Sequence, residues 1–267
     1  MKSNRDDPTY EKIGKGYNLT RQADPYLVNC ITQLLDPRNS SHYLDIACGT
    51  GNYTLALATK AGKWTGIDHS SVMLKKASRK SLDITWCVAD AEDLPFDSES
   101  FDGVIITLAL HHFENSVRVF RESARILKVG SPLVLFTSTA EQMENYWLNH
   151  YFPKAMQRSI TQMPTLPDTL DSLQQGGFYI DKLEPYFVLP DLQDFFLYSG
   201  KHRPEIYLDE RIRRGSSTFA TLADQDEVSE GCAKLSDDIV SGHFKQVCNQ
   251  YYDDQIGDYI FIRAIKS

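Results

Sequence analysis

The chain has 267 residues, 42% of them hydrophobic and 24% charged, enough apolar material for a large core and the wrong composition for a disordered chain. Its formal charge of −8 argues against a protein that grips phosphate backbones, so no nucleic-acid partner is expected. Five scattered cysteines without a C-x-x-C pair fit neither a disulfide scaffold nor a zinc site, and the polar start and strand-sized apolar runs predict no export signal and no membrane span. The expectation is a metal-free protein of the cytoplasm.

Residues 1–40 read as one or two helices docked on a core. From about residue 42, short apolar runs alternate with helical stretches, the pattern that builds a parallel sheet covered by helices. Tyr43 to Ala47 reads as the first strand, Trp64 to Asp68 as the second and Ile84 to Asp90 as the third. Asp102 to Leu108 is apolar on both faces, as a central parallel strand must be, and Leu133 to Phe136 is the fifth. A helix from about Glu141 to Ser159 follows, then a second from Leu170 to Gln175. Phe178 to Leu189 supplies a sixth strand, and Tyr259 to Ile265 a seventh. Between the last two lie about sixty residues, Pro190 to Gly257, too many for a hairpin loop, so a helical insertion is predicted there. The division is an N-terminal segment 1–40, a core of 41–190 with 257–267, and a cap of 191–256.

The first strand runs straight into Cys48-Gly49-Thr50-Gly51 and a helix, a turn whose bare backbone lets a ligand approach the carboxyl edge of the sheet. Position 54, where a dinucleotide fingerprint has its third glycine, is Thr54, and Asp45 would repel a pyrophosphate but suits a cofactor with a cationic end. Asp68, at the end of the second strand, stands where an acid accepts from both hydroxyls of a ribose. Asp90 ends the third strand and could accept from an adenine amino group, with the backbone at Ala91 along the ring. Three acids at successive strand ends, without a basic phosphate clamp, describe a site for an adenosine that carries no phosphate, which points to S-adenosylmethionine.

Leu44-Asp45-Ile46-Ala47-Cys48-Gly49-Thr50-Gly51, Gly66-Ile67-Asp68, Asp90-Ala91-Glu92-Asp93-Leu94-Pro95-Phe96 and Phe101-Asp102-Gly103-Val104 resemble, in order and spacing, the class I S-adenosylmethionine-dependent methyltransferases, in particular the branch that includes the ubiquinone and menaquinone biosynthesis enzymes. The resemblance covers about residues 40 to 140. It implies a Rossmann-like, doubly wound α/β fold with a seven-stranded sheet whose last strand is antiparallel, and S-adenosylhomocysteine as the product. Ala47 departs from the family, which often has a first glycine there. The cofactor set it implies is Asp45, Ala47, Gly49, Gly51, Asp68, His69, Asp90, Ala91 and Leu108. To these the N-terminal segment adds Tyr17, closing the site, and Arg21, pairing the methionine carboxylate.

Methyl transfer needs alignment, exclusion of water and, for a protonated nucleophile, a base. Past the fourth strand stand His111 and His112, either of which could accept a hydroxyl proton, and not the Pro-Pro-Tyr type of motif that grips amide or nucleobase nitrogens. The acceptor is expected to be a small molecule. Tyr146, Trp147, His150 and Tyr151 fall at i, i+1, i+4 and i+5. Of these, Tyr146, Trp147 and His150, with Phe195 and Tyr198 from the cap, are the candidates for holding the acceptor. A basic group, Lys201 to Arg203 and Arg211 to Arg214, raises the idea of an anionic acceptor, although Glu205, Asp209 and Glu210 are interleaved with it. An RNA or protein methyltransferase, or a binder of the cofactor without catalysis, stays open at this point.

Overall fold

The computed structural model describes residues 21–253 and 255–267. Asp24 opens helix α1 (Pro25–Leu35) by accepting from the Tyr26 and Leu27 amides, with Pro25 at the first helical position, where no amide is needed. Then β1 (His42–Ile46), α2 (Asn52–Ala58), β2 (Lys63–Asp68), α3 (Ser71–Ser78), β3 (Thr85–Val88), β4 (Gly103–Thr107), α4 (Ser116–Ile126) and β5 (Pro132–Thr137) follow in regular alternation. These strands lie within one or two residues of the sequence expectation because parallel strands covered on both faces are apolar throughout: Val104, Ile105 and Ile106 are fully buried, as are Leu133 and Leu135.

The sheet order is β3-β2-β1-β4-β5-β7-β6, with β6 at Phe178–Tyr186 and β7 at Tyr259–Lys266. Only β7 runs antiparallel, and it lies between β5 and β6. The order reverses between β1 and β4, and in such a sheet the crevice for a ligand opens beyond the carboxyl ends of the strands at that point.

The single helix expected over Glu141 to Ser159 is three: α5 (Ala140–Glu144), α6 (Leu148–Tyr151) and α7 (Pro153–Thr161). Pro153 cannot donate into a continuing helix and instead starts a new one, while the Asn149 side-chain amide satisfies the carbonyls of Met143, Glu144 and Tyr146 where α5 ends. After α8 (Leu166–Gln175) and β6 the chain runs without a helix to a 3-10 turn at Pro204–Leu208. It continues through α9 (Glu210–Arg213), a π-helical turn at Thr218–Leu222, α10 (Gln225–Ser241) and α11 (Phe244–Gln250).

This insertion is tied to the core at several points. Glu227, 8% exposed, accepts from the Lys154 and Ala155 amides and so caps α7 from another element. At Gly231 a Cβ would sit 2.4 Å from the Tyr151 carbonyl oxygen, so the missing side chain lets α10 lie against the α6–α7 junction. Lys201 pairs with Asp258 at 2.8 Å just ahead of β7. Among the described residues no helix is long and apolar enough to cross a membrane.

Candidate active site

A cavity of about 1520 Å³ opens at the carboxyl ends of the central strands. Its floor is the turn from β1 into α2, in which Ala47, Gly49 and Gly51 have φ of 58°, 56° and 73°. Gly49 lines the cavity, and a Cβ added there would meet no atom of the described residues within 4 Å, so the backbone faces the cavity. Ala47 lines it too, in the left-handed conformation that costs an L-residue roughly 1–2 kcal/mol. Part of that gain is offset by the greater flexibility of glycine in the unfolded chain, so Ala47→Gly is expected to raise stability by a net ~0.5–1 kcal/mol. A thermal melt a few degrees above the native protein's checks this, and an unchanged or lowered midpoint contradicts it.

Asp68 is 8% exposed and lines the cavity. Its Oδ2 accepts from the Gly49 amide at 2.9 Å and its Oδ1 from the Ser70 amide at 2.8 Å, so one carboxylate braces the glycine turn and starts α3. Burial raises its pKa, while these two amides counteract the rise. A carboxylate has about four acceptor positions, so two remain for a ligand. His69 lies beside it, Nδ1 to Oδ1 at 3.8 Å. Asp90, exposed, and Ala91 line the same end, with Asp90 Oδ1 accepting from the Glu92 amide at 2.9 Å to shape the loop. Acids thus gather at one end of the cavity. Leu108, with φ of 53°, forms its middle at the end of β4.

Asp45 and Gly51 lie elsewhere than the sequence implied. Asp45 is 1% exposed beneath the floor, where Oδ2 accepts from the Thr54 hydroxyl at 2.5 Å and Oδ1 has no partner among the described residues. Burial first, and then the charge of Asp68, push its pKa up to about 7. A Cβ on Gly51 would meet the Trp86 ring at 2.3 Å, so this glycine serves close packing behind the turn and does not line the cavity.

A 3-10 turn at Leu110–His112 brings both histidines to the wall, ring centroids 3.9 Å apart. The enclosed His111 imidazole is pushed down to about 3, by burial first and then by the neighbouring charges of His112 and Arg21, so it is neutral at physiological pH. The unfolded chain protonates this histidine near its ordinary 6.5, as the folded one does not. Its contribution to stability is therefore full above about pH 6.5 and is lost as pH falls toward 3. Relative to a His111→Gln variant, the native protein is expected to lose up to about 2 kcal/mol between pH 7 and pH 5. Parallel denaturant titrations check this, and equal slopes with pH would contradict it.

Arg21 reaches the wall, but its guanidinium is held by Asp194 of the insertion, Nε to Oδ1 at 2.6 Å and Nη2 to Oδ2 at 3.3 Å, and Asp194 also accepts from the Tyr53 hydroxyl at 3.1 Å. Tyr17 lies outside the described residues. The five residues expected to hold the acceptor do not line the cavity. Tyr146, Trp147 and Tyr198 are 0, 1 and 2% exposed in the core, with Tyr146 stacked on Tyr198 at 3.9 Å and donating to the Asp258 carbonyl. His150 packs edge-on against Tyr151, and Phe195 lies under the Arg203 guanidinium. Large aromatics at these positions are consumed by packing of the insertion on the sheet.

The walls opposite the adenosine end come from residues the sequence had not singled out, except Phe196, which the sequence offers with Phe195 and Tyr198 as an apolar group of the insertion that could exclude water. Thr137 ends β5 and Ser138 follows it, Ser159 comes from α7 and Met163 from just past its end, and the insertion supplies Phe196 with Gly215 to Thr218. The Gly215-Ser216-Ser217 run was visible, but small hydroxyl residues without periodicity carry no chemical signature. Among the described residues no group of three or more His, Cys, Asp or Glu side chains could hold a metal ion.

Residues 44–135 match the model of a methyltransferase domain. A solved structure from Anabaena variabilis, a candidate methyltransferase from an antibiotic biosynthesis pathway, is 33% identical with a TM-score of 0.82, over 91% of this chain and 98% of that one. The demethylmenaquinone methyltransferase of Thermotoga maritima is 36% identical over 133 residues, 47% of this chain and 58% of its own length. That of Bacillus subtilis is 29% identical over 155 residues, 53% of this chain and 66% of its own. The match thus spans less than two thirds of these curated relatives.

Proposed function

The chain belongs to the class I S-adenosylmethionine-dependent methyltransferases, and we propose that it transfers the methyl group of this cofactor to a small-molecule acceptor. The observation that carries the reading is the open face of Gly49 beside the buried, turn-bracing carboxylate of Asp68: a side-chain-free floor with an acceptor of hydroxyl protons at its edge. Asp68 would take the ribose hydroxyls, the Asp90–Ala91 loop the adenine, and Ala47 and Gly49 the methionine end, with Asp45 bracing the floor from beneath through Thr54. When bound, the cofactor supplies an electrophilic methyl group and leaves as S-adenosylhomocysteine.

The chain's own residues then orient and enclose. His111 sits neutral beside the middle of the cavity and is assigned the acceptor's proton. A weak base suffices, because a hydroxyl that is being methylated turns strongly acidic as the new bond forms. Phe196 and Met143 keep water from the reacting atoms, so that a desolvated nucleophile meets the methyl. The two curated relatives act, by name, on demethylmenaquinone, and only the small-molecule class is carried over to this chain. Five free cysteines suit a cytoplasmic setting.

Titration calorimetry with S-adenosylmethionine, S-adenosylhomocysteine and NAD tests the reading. The first two are expected to bind and NAD is not. Binding of NAD without S-adenosylhomocysteine would overturn it.

A further inference from the structure

The cavity is divided in its chemistry. Its charged lining residues, Asp68, His69, Asp90 and Glu92, stand at the adenosine end, with His111, His112 and Glu114 beside the middle. Beyond Leu108 the described lining carries no Asp, Glu, Lys or Arg except Arg21, whose guanidinium lies against Asp194. The wall there is apolar, from Met143, Met163, Phe196 and Leu197, and is studded with hydroxyls. The basic group of the insertion does not reach it. Arg211 and Arg214 pair with Asp209 and Glu210, Lys201 pairs with Asp258, and Arg203 and Arg213 donate to backbone carbonyls.

The hydroxyls differ in what they are bonded to. Thr137 donates to the Ser138 carbonyl, and Ser159 and Thr218 bond each other at 2.9 Å. Ser138 and Ser216 line the cavity at 8 and 9% exposed, and their hydroxyls, like that of Ser217, bond no described residue. Neither is a sealed, unpaired group, so each hydroxyl is met by water or by a ligand that takes its place. Ser216 and Ser217 lie immediately ahead of the π-helical turn, a local geometry frequent at functional sites.

Resting on the methyltransferase reading, we propose that this half of the cavity takes an uncharged acceptor with a mainly apolar body and at least two hydroxyl or carbonyl oxygens, which Ser138 and Ser216 recognise by hydrogen bonds. An anionic or cationic acceptor would be stripped of water against a described wall whose one full charge, Arg21, is already held by Asp194, which costs more than these hydroxyls return. The idea of an anionic acceptor, raised by the basic group in the sequence, gives way on the same ground.

The test uses three naphthalene probes with protein saturated by S-adenosylhomocysteine: naphthalene-1,5-diol, 1-naphthoate and 1-naphthylmethylammonium, followed by their fluorescence. The diol is expected to bind at least about tenfold tighter than either charged probe. Ser138→Ala with Ser216→Ala is expected to weaken the diol by on the order of tenfold while S-adenosylhomocysteine binds as before, which also shows that the variant is folded. A charged probe bound as tightly as the diol, a diol that does not bind, or a double variant indistinguishable from the native protein would overturn the inference. Failure of S-adenosylhomocysteine itself to bind overturns the methyltransferase reading instead.

Discussion

Gly49→Val is expected to lower S-adenosylhomocysteine affinity by on the order of 100-fold or more, through two separable effects. The backbone there has φ of +56°, which a β-branched residue adopts only under strain, so the turn shifts from the shape that Asp68 braces. The side chain also projects into the cavity, where a Cβ meets no atom of the described residues and a bound ligand would lie in its way. Gly49→Ala separates the two. It carries the strain with little of the bulk and is expected to fall between native and valine. Calorimetric titration of the three proteins checks the order, and native-like binding by the valine variant would show that the turn is not the cofactor floor.

Asp68→Ala comes next, with an expected loss of about 3 kcal/mol in S-adenosylhomocysteine binding. The ribose hydroxyls lose a charged acceptor, and the Gly49 and Ser70 amides lose theirs, so both the ligand contact and the shape of the floor are affected. Adenosine alone, which has the ribose but no methionine end, should lose a similar factor. If adenosine binding were untouched while S-adenosylhomocysteine weakened, Asp68 would be acting through the turn only. Retained far-ultraviolet circular dichroism separates either result from unfolding.

The parallel half of the sheet was legible because each strand is a short, mainly apolar run ended by a turn or an acid, and the acids at the strand ends followed from their positions. Asp68 and Asp90 did reach the cavity. Asp45 and Gly51 belong to the same motif but turn away from the cavity, Asp45 from within β1 to bond Thr54 beneath the floor and Gly51, in the left-handed turn, to pack against Trp86. Aromatic spacing misled at Tyr146 to His150: a stripe says that a surface is buried, not whether protein or ligand buries it. Pro153 marks the break in that helix, since it cannot donate into a continuing one. Asp194, which holds Arg21, and the serines of the acceptor wall lie in irregular segments where no period marks a residue, and only the folded chain brings them to the site.

The position of β7 has a consequence for how the molecule assembles. The strand occupies the slot between β5 and β6, so β6 cannot join the sheet until β7 exists. From Tyr186 to Tyr259 is 73 residues (259 − 186), which at synthesis rates of about 5–20 residues per second is a delay of roughly 4–15 s. Throughout it the edge of β5, with Leu133, Val134, Leu135 and Phe136, offers an open row of backbone donors and acceptors beside side chains that are fully covered in the finished protein. The nascent protein therefore holds an apolar strand edge bare while the whole insertion is being made, and its sheet is completed only by closing a long loop.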